Sequence, residues 1–168
     1  MVLVSTSGCG DSKPSDGTAG TGPVEMPANV AGDYLVSLVN HENTCKAMAD
    51  TWMDGATNEG VDFLITQKGV KIEAETMGGA ALYFLVLTGA NEFTGEIHDS
   101  HFVLTNYGTK AYSYLTCNYT INAVVEGDLD GDAIAGTVTY QPVISENPDC
   151  ADYDCTAVQV FSGNRPPG

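Results

Sequence analysis

The chain has 168 residues, of which 22 are acidic and 6 basic, for a formal charge of −16. Such a surface repels phosphate backbones and anionic lipid headgroups, which argues against nucleic-acid binding. A hydrophobic content of 43% is enough for one packed domain and argues against global disorder, while nineteen glycines and eight tyrosines lean toward β structure.

In chain order the first feature is an address rather than a fold. No stretch approaches the roughly 20 apolar residues that a transmembrane helix needs. Met1-Val-Leu-Val-Ser-Thr-Ser-Gly8 instead runs small residues into Cys9, and a polar, glycine-rich stretch follows at once. This pattern resembles the lipobox of bacterial lipoproteins. The resemblance implies that Cys9 is acylated and heads the mature chain, that Thr6, Ser7 and Gly8 are the preceding recognition positions, and that residues 1–9 are a signal-sequence remnant. Thr6 stands where that family usually carries a branched aliphatic residue, and Met1–Gly8 holds no basic residue; an upstream true start accounts for both departures. Gly10, rather than an aspartate, after the cysteine implies an outer-membrane address. Residues 10–31 are rich in Gly, Ser, Thr and Pro, without periodicity or aromatics, and read as a flexible linker. About 20 such residues span roughly 25 Å on average, enough to hold a domain clear of a membrane.

The folded domain is expected over 32–168. Asp33–Val39 opens it as a strand with Tyr34, Val36 and Leu38 on one face. Asn43-Thr44 can cap a short helix near 44–53, grouping Ala47, Met48, Trp52 and Met53 on one side. Trp52, the only tryptophan, reads as core or lid packing, with the wall of a ligand site as the sharper alternative. Val61–Met77 reads as a hairpin turning at Gln67-Lys68-Gly69, with Val61, Phe63, Ile65, Val70, Ile72 and Ala74 inward. Ala81–Leu87 (ALYFLVL) is a continuous apolar run, consistent with a strand covered on both sides. Strands follow at Phe93–Ile97 and Phe102–Tyr107. From Ala111 the chain alternates for more than ten residues, placing Leu115, Cys117, Tyr119, Ile121, Ala123 and Val125 on one face. Gly127–Asp132, with its Asp-Gly dipeptide, turns the chain into a return strand through Ile134, Gly136, Val138 and Tyr140. Ala157–Phe161 closes the domain.

Short connections and consecutive hairpins predict an all-β, eight-stranded antiparallel meander closed into a small β-barrel, with a β-sandwich as the alternative. Closure pairs the last strand with the first, and Gly95 and Gly136 fit tight bends. The hairpin Gly131-Asp-Ala-Ile-Ala-Gly136-Thr-Val-Thr139 resembles those of lipocalin-like and avidin-like small barrels. That resemblance implies a calycin-type binding module whose interior, unless Phe63, Tyr83, Tyr119 and Tyr140 fill it, takes one small ligand.

Four cysteines beside Cys9 imply two disulfides, with three possible connectivities. With the long hairpin turning near Asp130, Cys117 lies opposite about Pro142, close to the loop that carries Cys150. An antiparallel last strand brings Cys155 toward Cys45. The expectation is Cys117–Cys150 with Cys45–Cys155, and a local Cys150–Cys155 bridge is the rival. His98 and His101 flank a tight turn and are weak metal candidates, since two imidazoles fall short of a structural site. Asp128, Asp130 and Asp132 give half of a calcium loop without the distal glutamate. Asp149, Asp152 and Asp154 read as solvated loop acids. No nucleophile elbow, phosphate loop or dinucleotide fingerprint is present, so the expectation is a non-enzyme without cofactors: a lipid-anchored envelope module for a small apolar ligand. The alternative is an interaction module that meets a basic secreted hydrolase with its acidic surface.

Overall fold

The computed structural model describes residues 26–45 and 52–166. It is an antiparallel barrel of eight strands with one short strand added. The strands are β1 (Gly32–Asn43), β2 (Thr57–Lys68), β3 (Lys71–Thr76), β4 (Glu92–His98), β5 (His101–Asn106), β6 (Tyr112–Tyr114), β7 (Cys117–Asp130), β8 (Ala133–Ile144) and β9 (Ala157–Asn164). One helix, α1 (Gly78–Leu87), connects β3 to β4, and a 3₁₀ segment (Pro148–Tyr153) precedes β9. The strand order is β5-β4-β3-β2-β1-β9-β8-β7-β6, and β5 also pairs with β7. That pairing closes the barrel and leaves β6 outside it. The sheet closes on itself rather than packing as two layers, and the last strand pairs antiparallel with the first, Val39 opposite Val160.

Alternation in the sequence becomes inside and outside in the barrel. On β7, Ile121, Ala123 and Val125 are buried; on β8, Ile134, Val138 and Tyr140 are. Lys68 opposes Lys71 across the β2–β3 turn, where Gly69 takes a φ of 65°. Val70, expected inward, sits in that turn and is exposed. Gly95 and Gly136 are required by close approach: an added Cβ would collide with the Val103 and Glu126 carbonyls of the neighbouring strands.

Two expected strands fail, and both failures have a physical cause. The alternation from Ala111 is not one strand. Leu115, with a φ of 53°, turns the chain between β6 and β7, so Tyr114 opposes Cys117 and Leu115 is exposed. Period two continues through a tight hairpin, which hides the break. The apolar run 81–87 is a helix, not a strand. Here β3 and β4 are direct neighbours, Ala74 opposite Phe93, so the chain between them has no place in the sheet. Ten residues at 1.5 Å each reach about 15 Å, enough to cross a barrel end. The helix stops at Thr88-Gly89, where Gly89 takes a φ of 88° and donates to the Phe84 carbonyl at 3.2 Å. Lys110 Nζ and Tyr112 Oη donate to the Val86 carbonyl at 2.6 and 3.0 Å, satisfying acceptors the helix end leaves open. The helix expected near 44–53 falls mostly on residues 46–51, outside the described residues, as do Cys9 and residues 10–25 of the linker.

The barrel interior is filled. All five phenylalanines are buried, and a void of about 30 Å³ remains among Val36, Phe63, Thr76, Phe84, Phe93 and Phe161, room for a water but not for a ligand. At the base, Arg165 Nε donates to Tyr34 Oη at 2.8 Å, its guanidinium lies 5.3 Å from the Tyr34 ring centre, and Tyr34 Oη donates to the Val30 carbonyl at 3.0 Å. Val30, at the end of the stretch read as linker, is fully buried, and Gln67 clamps its N–H and the Ala28 carbonyl. Residues 28–30 therefore pack against the base of the barrel.

Candidate functional site

The end opposite to that base is where the molecule opens. It carries the β1–β2 connection, α1, the β8–β9 connection and both disulfides. Cys45–Cys155 and Cys117–Cys150 form as the topology predicts. In register, Pro142 opposes Ile121 rather than Cys117. Cys117 reaches Cys150 beyond the end of β8, because the 3₁₀ segment folds back over it: Asn147 Nδ2 donates to the Thr116 carbonyl at 2.9 Å. The first bridge holds the end of β1 against the start of β9, where Thr44 and Thr156 also exchange backbone and hydroxyl hydrogen bonds.

Between α1 and the rim of β2 lies a cleft of about 450 Å³, within the range of small-molecule sites. Phe84 is the one buried side chain of α1. It points down into the barrel, 5.1 Å from Phe93 and stacked on Tyr140 at 6.1 Å, and so separates the cleft from the filled interior. Tyr83, the preceding residue, is 45% exposed and stands in the cleft wall. Trp52 and Tyr83 each meet Tyr140 nearly at right angles, with ring centres 6.3 and 6.5 Å away.

Below the rings runs a polar relay. Tyr140 Oη donates to Gln159 Oε1 at 2.8 Å, Gln159 Nε2 donates to Asn40 Oδ1 at 2.8 Å, and Asn40 Nδ2 donates to the Met53 carbonyl at 3.1 Å. All three side chains are buried, and each is satisfied by the next, so this polar floor carries no orphaned donor that would destabilise the barrel. Burial pushes the Tyr140 phenol well up, with proximity to Tyr83 adding to it; burial also raises Tyr83, helped by Tyr112. Both phenols are therefore neutral at physiological pH, uncharged rings with polar tips. Glu59 and Asp62, exposed on the protruding end of β2, form the acidic rim.

Of the residues the sequence singles out, Trp52, Tyr83 and Tyr140 reach this cleft, and Trp52 serves both anticipated roles: it packs on Tyr140 and lines the opening. Tyr119 does not fill the interior. It is only partly buried and stacks between Tyr112 and Tyr153, ring centres 5.3 and 4.8 Å away. His98 and His101 sit at the opposite end and turn to different carboxylates: His98 to Glu96 at 3.4 Å, His101 to Asp128 at 3.1 Å and Glu126 at 3.4 Å. No group of three or more metal-ligating side chains forms among the described residues. Asp128 is taken by His101 and Asp132 by Arg165, so the half calcium loop is dispersed. Asp149 accepts from the Thr116 hydroxyl and lies with Asp152 on the 3₁₀ segment, with Asp154 just after it, away from the cleft. Asn40, Gln159 and Tyr140 were invisible as a group, since they lie on three strands and 119 residues separate the Asn40–Gln159 pair. The only signal was amide residues at inward positions of strands.

No protein-family model, curated protein or solved structure matches the chain.

Proposed function

We propose that this protein is a non-catalytic binding module that takes a small, partly apolar ligand in the cleft between α1 and β2, and that it works while tethered to the cell envelope through Cys9. The observation that carries the reading is the contrast in space: the interior keeps a void of about 30 Å³, while the aromatic cleft offers about 450 Å³ above a satisfied polar floor. A pre-formed concave site with apolar walls and a few fixed polar groups is what small-molecule recognition needs. The tether is supported by placement. Residues 28–30 enter at the base, against Gln67 and Asp99, so a chain anchored ahead of them presents its cleft away from the anchor.

A second reading rests on the charge of −16 and the exposed Glu59 and Asp62 rim: the same end meets a basic protein, as an envelope inhibitor of a cationic hydrolase would. Native mass spectrometry of the protein, purified mildly from its own host, separates the two. The expected result is a reproducible small noncovalent adduct, lost when Asn58→Trp fills the rim, together with acyl mass on Cys9. A bare barrel, or an adduct indifferent to Asn58→Trp, overturns the ligand site. A basic protein partner that dissociates with added salt establishes the second reading instead.

A further inference from the structure

We infer that the ligand class is a compact organic cation, an alkylated or primary ammonium group carried on a short apolar stem. This rests on the cleft being a small-ligand site and goes one step beyond it. Two features of the cleft select for positive charge, and a third, its neutral floor, leaves them unopposed.

The walls carry aromatic rings. Trp52 and Tyr83 stand around Tyr140 at near-right angles, and clustered aromatic rings are the established means of holding an ammonium whose charge is spread over methyl groups. The rim is one-signed. Glu59 and Asp62 line the opening, and no Lys, Arg or His lines it among the described residues. The field of the whole chain has the same sign, since 22 acidic groups face 6 basic ones, which raises the local concentration of cations at a concave opening. The third feature is the floor. Tyr140, Gln159 and Asn40 satisfy one another in a single direction, ending on the Met53 carbonyl. Among the described residues no cationic side chain lines the cleft. Arg165, the one arginine, is committed to the base, where it already stacks on Tyr34. Lys110 likewise lies over Tyr112, 5.1 Å from the ring centre, with its ammonium bonded to Val86. An anion would meet two carboxylates, offset only by the first-turn amides of α1 at Gly78–Ala80. A neutral apolar molecule would fit the walls but gain nothing from the rim. A cation with a short stem uses both, its head against Trp52 or Tyr83 and its stem against Leu38 and Val61.

The test compares choline with its uncharged isostere, in which a quaternary carbon replaces the nitrogen. Binding to the full chain is followed by calorimetry and by the fluorescence of Trp52, the only tryptophan. Choline is expected to bind at least about tenfold tighter than the isostere, a difference on the scale of one desolvated cation–π contact. The exposed double variant Glu59→Gln/Asp62→Asn should weaken choline about tenfold, abolish most of its salt dependence and leave the isostere unchanged. Tyr83→Leu, half exposed and so tolerated by the fold, should weaken choline by a similar factor. Equal binding of the two probes overturns the cation assignment while leaving a small-ligand cleft. Binding of neither overturns both readings, and binding of choline that Glu59→Gln/Asp62→Asn and Tyr83→Leu do not affect places the cation elsewhere and overturns this site.

Discussion

The two ends of the barrel are closed by opposite chemistry. At the base, one arginine is inserted among partners that use its donors: Tyr34 Oη, the Asn29 carbonyl and Asp132. A guanidinium bonded on several sides and stacked on a ring has its donors engaged within the fold, although an outer groove of about 530 Å³ runs past it along Leu35, Leu64 and Met77. At the mouth, an apolar helix crosses the opening and commits only Phe84 to the interior, while Leu82, Leu85 and Val86 remain exposed. A rigid cylinder over a roughly circular opening covers it unevenly, and the uncovered side is the cleft. Polar plugging seals; helical capping leaves a slot.

The comparison can be broken most forcefully at Phe84. Phe84→Ala removes the ring that packs on Phe93 and Tyr140 and should cost about 4 kcal/mol, read by denaturant unfolding. It also joins the small interior void to the cleft, so ligand binding should change together with stability. Next in size, replacing both cysteines of the Cys45–Cys155 bridge, which closes a 110-residue separation, should cost about 3 kcal/mol. That bridge ties down the mouth where Trp52 donates to the His41 carbonyl, so Trp52 fluorescence should become more solvent-exposed while the base is unaffected. The smallest effect sharpens the contrast from the other side. Arg165→Ala should cost about 1–2 kcal/mol through its lost hydrogen bonds and ring contact. Binding at the cleft should stay at the wild-type value. A loss of affinity in Arg165→Ala would show that the two ends are not independent.

Much of this architecture is written locally. Period-two runs at Tyr34–Leu38, Phe63–Ala74 and Ile121–Val125 report which face is wet, and the glycine-marked turns at Gly69 and Gly131 report where the chain reverses. Even the disulfide pairing followed from topology, because antiparallel neighbours bring fixed segments together. The apolar run Ala81–Leu87 resisted such reading for a physical reason. An all-apolar segment has no polar face to mark its period, so helix and strand look alike until length and end signals decide. The Gly78-Gly79 entry and the Thr88-Gly89 stop framed a ten-residue helix, too long to be the simple turn that a meander would use.

What the sequence determined by itself, then, was a single acidic, disulfide-bonded antiparallel β-barrel with its last strand returned to its first. Inward and outward faces are properties of neighbouring residues, and strand pairing follows from hairpin order. Only the tertiary structure decided that the interior is filled, that the sole arginine seals one end, and that Trp52, Tyr83, Tyr140, Gln159 and Asn40 gather at the other. Those facts depend on side chains from distant strands meeting across a closed cylinder, and on the angle at which one helix crosses its mouth. Neither quantity has a local signature along the chain.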